Sequence, residues 1–476
     1  MRQVNLRPIP LCLIYRPTPD YNTFLASIEG TAFMSDLLIR NCNVLNITID
    51  ARAFILYEHD ILIGGNRIEA VQPTGSADPS QFKKVIQADG LLAMPGLINT
   101  HAHVPMVIFR GLAEDVTIEQ WFNDYMWPLE SNLQAEDVYW GMQLGLAEMI
   151  RSGVTSVADH YFFMDEAAKA VEKAGTRALL GWAIFGNNGT EMIQRTGRFI
   201  SEWQGAAHGR IRTIMAPHSP YLCDDDYLRA CVKKAKELHV GIHIHAAENL
   251  QQTQSSLEKR GLTPIQVCEQ TGVLDGHTII AHGCGVLPED MPMLAKHDAG
   301  FAHAPKTYMK LAMKTAPVIQ FRQHGIPVGL ATDGAVSNNT LDIFESMRLM
   351  ALTQKQESGL PTLMTIPEAL YIATRESARV YGQPDELGAL DPGNLADLIL
   401  VNLNGMHHQP LHSMTASLVY NVRASDVVTT ICDGQVLMEE GKLLTLNEAE
   451  IVSQVKASME RLAQRQPDKR IQVYNP

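Results

Sequence analysis

The sequence is short of the features that mark several protein classes, and each shortage removes one of them. Seven cysteines are scattered through 476 residues and no two are spaced C-x-x-C, which excludes a disulfide scaffold and favours a reducing, cytoplasmic setting. Cys284 lies two residues after His282; with no second cysteine nearby it reads as a buried core thiol rather than a ligand. No apolar run approaches the ~20 residues that a membrane-spanning helix needs. Basic residues are the scarcer sign, 39 Lys and Arg against 52 Asp and Glu, and the formal net charge of −13 argues against a nucleic-acid or anionic-membrane partner. Regular patterning is missing before Met34. The opening MRQVNLRPIPLCLIYRP mixes basic and apolar residues, but prolines interrupt it and no small-residue cleavage pattern follows. Residues 1–33 are therefore expected to be a loosely held extension, or to lie upstream of a natural start at Met34.

What is present is globular. Hydrophobic residues are 46% and charged residues 19%, and the length calls for a large domain with a smaller companion. Short β-rich segments fill 34–94, with turns at Gly64-Gly65-Asn66 and Asp89-Gly90, and the same texture returns over 388–476, with turns at Asp391-Pro-Gly and Asp433-Gly. Either one β-domain is built from both chain ends, or each end forms its own cap. Between them, over 95–387, short apolar strands alternate with helical stretches such as MDEAAKAVEKAG and DDDYLRACVKKAKELH. That alternation predicts a parallel sheet, and the number of repeats favours an α/β fold closed as a (β/α)₈ TIM barrel with function at the C-terminal strand ends.

The first of those strands is Leu97-Ile-Asn-Thr-His101-Ala-His103. Residues i and i+2 of a strand face the same way, so both imidazoles can point at one object. An isolated H-x-H is more often an ordinary hydrogen-bonded pair. Here, however, His243-Ile-His245 ends a later strand with Glu248 just beyond, His282 closes TIIAH, and Asp333 closes VGLATD. In barrel order these fall on strands 1, 5, 6 and 8. His101, His103, His245 and Asp333 would then converge on one divalent metal ion, with His282 beside it. His160 and His303 could line the same pocket or be structural.

The segments PGLINTHAHVPM, HIHAAE, TIIAHG and LATDGAVSNN resemble the cytosine-deaminase and chlorohydrolase branch of the amidohydrolase superfamily. That resemblance runs from about Met34 to the C-terminal β block. It implies a distorted TIM barrel, a flanking β-sandwich made from both chain ends, and one Zn²⁺ or Fe²⁺. Dinuclear relatives carry a carboxylated lysine on strand 4; here that strand reads RTIMAPHSPYL, which supports a single metal. Within the branch, FRGLAED, WPLE and PHSPYLC are most similar to the methylthioadenosine/S-adenosylhomocysteine deaminases. The resemblance implies that Glu130 holds ribose hydroxyls and His218 contacts the nucleoside. It also implies a division of labour in which Glu248 protonates the ring nitrogen, His282 steadies the adduct and Asp333 shuttles the proton.

Two departures stand out. Where an HNPxSN-like strand-7 segment is common, this chain has His303-Ala-Pro-Lys306-Thr-Tyr308, so Tyr308 is expected to reshape the pocket. Trp182 stands where an arginine for a homocysteine carboxylate is expected, which favours an uncharged substituent such as that of methylthioadenosine. The expected enzyme is a hydrolytic deaminase of an amino-substituted heterocycle, acting as a homo-oligomer. A guanine or pterin deaminase, an s-triazine hydrolase on the same metal site, and a catalytically silent relative are the alternatives.

Overall fold

A computed structural model describes residues 35–464 and 472–474; the expected extension over 1–33 lies outside the described residues. The central sheet has strands β1 (Leu97–His103), β2 (Val154–Tyr161), β3 (Arg177–Ile184), β4 (Ile211–Pro217), β5 (Ile242–Ala246), β6 (Thr278–His282), β7 (Ala299–His303) and β8, which is split into Val328–Leu330 and Asp333–Gly334. All neighbours are parallel. The two halves of β8 close the barrel, because His303 pairs with Leu330 on one side and Ala102 with Asp333 on the other. At the switch between them, Ala331 N–H donates to the His303 carbonyl at 2.9 Å and Thr332 N–H to the His101 carbonyl at 3.3 Å. Asn99 clamps the seam by exchanging bonds with Thr332, at 2.7 and 3.1 Å.

Helices between the strands follow their sequence signals. Met164–Ala174 buries Ala167, Ala168, Val171 and Ala174 at helical spacing, and Gly175 ends it with φ +86°. Asp224 caps Asp225–Leu238 by accepting the Tyr227 N–H at 2.8 Å. The helix Ala135–Arg151 approaches the turn after β1 so closely that a Cβ at Gly141 would lie 2.6 Å from the Pro105 carbonyl oxygen. That contact presses the turn following His103 into place.

The chain ends meet in a second, nine-stranded sheet. Its junction is Leu92–Pro95, which runs parallel to Ser35–Ile47 and antiparallel to Leu398–Val401, so one sheet, not two caps, is formed. It holds its own core, with Ile39, Ile61 and Ile63 from one chain end against Leu398, Leu400 and Ile431 from the other. A buried ionic knot fastens it to the barrel: the Arg177 guanidinium donates to Asp397 at 2.9 and 3.1 Å and also meets Asp433. Six cysteines among the described residues are free and buried, Cys284 included. No helix among the described residues is long and apolar enough to cross a membrane.

Candidate active site

The C-terminal ends of the barrel strands bring His101, His103, His245, His282 and Asp333 together. The Nε2 atoms of His101 and His103 lie 3.4 and 3.2 Å from Asp333 Oδ1, and His245 Nε2 is 3.4 Å from His103 Nε2. The opposite ring atoms are already committed. His103 Nδ1 donates to the His160 carbonyl at 2.5 Å and His245 Nδ1 to the His218 carbonyl at 2.9 Å, which leaves each Nε2 as a lone pair facing inward. His101 Nδ1 is paired with His243 Nε2 at 2.9 Å. Its own Nε2, fully buried, has no hydrogen-bond partner.

An orphaned nitrogen at the centre of converging N and O atoms is the observation that tests a metal here. His101, His103 and His245 offer ligand atoms within 4.8 Å of one another, as do His101, His282 and Asp333. Burial pushes the His101 imidazole down to about 3 and His245 well below its ordinary range, so both stay neutral, the form that binds metals. For His103 burial acts the same way, but the Asp333 carboxylate overrides it and lifts the ring to about 9; positive charge is stabilised at that point. Burial would raise Asp333 itself, yet the close His101 and His103 rings hold its carboxyl well below the usual range. Three imidazoles and one carboxylate fit a divalent cation of borderline softness. Backbone strain marks the same place: His282 has φ +77° and Asp333 φ +60°, conformations that non-glycine residues adopt at a cost of about 1–3 kcal/mol each.

Above this cluster opens a cavity with polar groups at its floor. Glu248 is buried immediately before the helix Leu250–Arg260, and its Oε2 accepts the Gln252 Nε2–H at 2.6 Å. Burial raises its carboxyl above the ordinary range. Across the cavity, Glu130 ends the helix Trp127–Glu130. Burial pushes it up to about 7, against the opposing pull of the Tyr161 hydroxyl and His103. The His218 ring lies between Phe185 and His245, 5.0 and 4.6 Å away between centroids, and borders the cavity, as does His160. His160 is also structural, since its Nε2 donates to the Ala216 carbonyl at 3.0 Å while its own carbonyl orients His103. The remaining wall is apolar, built from Ile118, Trp121, Phe122, Trp127, Phe162 and Leu311.

Three expected pocket residues lie outside the lining of this cavity. Trp182 lies on β3 between Gly181 and Ala183 and borders a neighbouring cavity that shares Glu130, Phe162, Ala183 and Phe185 with the first. There its ring packs edge-on to Phe199 and beneath the Arg195 guanidinium, 4.3 Å from the centroid. Tyr308 belongs to the helix Pro305–Lys310 and folds back so that its hydroxyl accepts the Ala304 N–H at 2.9 Å. His303 is buried beside it, with both ring nitrogens unpartnered. Neither borders the cavity. Conversely, sequence reasoning passed over His243, which holds His101, and Ser337, whose hydroxyl donates to Asp333 Oδ2 at 2.7 Å. The signals were there: His243 repeats the H-x-H spacing, and Ser337 follows Asp333 by four residues in the turn that ends the strand.

The sequence profile of the Amidohydrolase family matches residues 92–437. The chain belongs to that family. It is 40% identical over 418 residues to a 5-methylthioadenosine/S-adenosylhomocysteine deaminase of Carboxydothermus hydrogenoformans, covering 87% of this chain and 95% of the relative. It is 39% identical over 437 residues to the protein of that name from Pelotomaculum thermopropionicum, covering 91% and 100%. Among solved structures, a zinc-bound adenosine deaminase from Xanthomonas campestris superposes with a TM-score of 0.86 at 28% identity, covering 90% of this chain and 99% of the other. A zinc complex of atrazine chlorohydrolase from Arthrobacter aurescens, at 24% identity and a TM-score of 0.83 over 89% and 100% of the two chains, shares the fold.

Proposed function

We propose that this amidohydrolase is a metal-dependent deaminase of an adenosine-type nucleoside, with methylthioadenosine the substrate that fits best. The observation that carries the reading is the placing, across one cavity, of two buried carboxyls that their surroundings shift apart: burial raises Glu248, while His101 and His103 hold Asp333 down. Two carboxyls shifted in opposite directions suit the acid and base of a hydrolytic substitution. His101, His103, His245 and Asp333 would hold the cation, and zinc suits their donor set. A divalent ion bound there supplies hydroxide at neutral pH by lowering the pKa of water to roughly 7.

The chain's own residues do the rest. Asp333 takes the proton released by the attacking water. Glu248 gives its proton to the ring nitrogen beside the attacked carbon, which makes the amidine electrophilic. His282 hydrogen-bonds the incoming oxygen and steadies the tetrahedral adduct. Asp333 then passes its proton to the exocyclic amine, the C–N bond breaks and ammonia leaves, and the adduct's remaining hydroxyl proton returns Glu248 to its acid form, so that the ring keeps a carbonyl. Glu130 accepts two vicinal sugar hydroxyls, while the apolar wall takes an uncharged substituent and keeps bulk water out. The similarity to named deaminases over most of the chain supports this assignment. An ammonia-release screen of the zinc-loaded enzyme tests it, using methylthioadenosine, adenosine, S-adenosylhomocysteine, guanine, pterins and triazines. Turnover led by adenosine-type nucleosides is expected; turnover confined to a free base or a triazine would contradict it.

A further inference from the structure

The aromatic wall of the cavity has an outer layer that comes from far along the chain. After the helix Glu448–Ala463, which lies on Ala135–Arg151 through Arg461 and Asp137 at 3.1 Å, the segment 472–474 lies against the barrel mouth. Tyr474 is 4% exposed there although its neighbour Val473 is open to solvent. Its backbone is bound on both sides by one amide: Tyr474 N–H donates to Asn123 Oδ1 at 2.8 Å, and Asn123 Nδ2 donates back to the Tyr474 carbonyl at 3.4 Å. Its ring stacks on Phe122, 4.9 Å between centroids and 10° from parallel, and meets Tyr221 edge-on at 5.9 Å.

Phe122 is the pivot. It borders the cavity and belongs to Trp121–Met126, an irregular wide helical turn in the excursion after β1. Such turns have weak internal hydrogen bonding and need outside support. On the other flank, the Tyr474 hydroxyl is 3.5 Å from Asn249 Nδ2. Asn249 caps the helix whose Gln252 holds Glu248. One side chain thus spans the two loops that carry the substrate wall and the acid.

We propose that Tyr474 is a positioning residue for the substrate cavity, fixing the Phe122 wall against the loop of Glu248. This rests on the deaminase reading for its kinetic arm alone. An aromatic stack of this kind is worth about a tenfold change in binding, and the hydroxyl contact is long, so the ring rather than the oxygen carries the effect. The experiment compares wild type, Y474A and Y474F in the full-length metal-loaded enzyme. For Y474A, KM is expected to rise about tenfold with kcat within about threefold, while metal content and Tm stay at wild-type values; Y474F restores KM. Acrylamide quenching of tryptophan fluorescence, which needs no substrate, is expected to rise in Y474A because Trp121 and Trp127 lose cover. Unchanged KM and unchanged quenching in Y474A would overturn the inference. So would a parallel loss of kcat, Tm and metal that Y474F fails to restore. A wild-type enzyme that released no ammonia from any nucleoside would instead sink the proposed activity, and the quenching would then decide the wall alone.

Discussion

Replacing Glu248 with Gln separates the acid from everything around it. The side chain keeps its length, and the amide oxygen of Gln can still accept the Gln252 Nε2–H that Oε2 now accepts at 2.6 Å. Packing and the helix cap at Asn249 therefore persist. What disappears is the acidic proton that the proposed mechanism draws from a carboxyl that burial raises. General acid catalysis of this type contributes roughly 10²–10⁴ in rate, or about 3–5 kcal/mol of barrier. Because the interaction exists only once the ring nitrogen gains basicity, the loss falls on kcat, with KM within about threefold of wild type. The assay is steady-state ammonia release from methylthioadenosine, run beside metal analysis, since Glu248 contributes no ligand to the cluster. A variant with normal metal content that kept more than about a tenth of wild-type kcat would refute the role of Glu248 as the acid.

Other perturbations follow from the same geometry. Glu130 titrates near 7 because it is buried, and its ionised form accepts the sugar hydroxyls; KM should climb as pH falls through 7 and level off above it, and E130Q should show a raised, flat KM profile. A KM that fell on acidification would reverse the sign of that account. His245→Ala removes one converging Nε2, so metal content and turnover should be lost together, as measured by elemental analysis and ammonia release. Arg177→Met leaves the buried Asp397 and the half-buried Asp433 without their guanidinium, which should cost about 3–5 kcal/mol in urea unfolding; a loss below about 1 kcal/mol would mean that the knot between sheet and barrel carries little.

The inward-facing histidine and aspartate cluster was legible because each of its members lies at or near the end of a short apolar strand, and the closure of eight such strands fixes where the ends must meet. His101 and His103 follow from period-two alternation, and their partners from barrel order. The side on which Trp182 falls was not legible for a related reason. The strand Arg177–Ile184 is buried along its whole length, so its sequence carries no inward–outward contrast, and only the register, with Trp182 opposite Tyr161 and Met215, sets the parity. The placement of Tyr308 was not legible either, because Pro305 opens a helix that turns the phenol back onto Ala304. β texture at both chain ends was plain, but which strands pair was not: Leu92–Pro95 has to lie between partners from opposite ends of the chain. The aromatic wall drew no signal because it sits on an irregular turn whose support, Tyr474, is 351 residues away from Asn123.

The central claim is that four side chains from three strands of the barrel share one cation. Anomalous diffraction at the zinc edge, on crystals of the zinc-loaded enzyme, addresses it most directly. A single peak per chain is expected, equidistant within bonding range from the Nε2 atoms of His101, His103 and His245 and from Asp333 Oδ1. A peak outside that cluster, or a second fully occupied ion beside the first, would contradict the account.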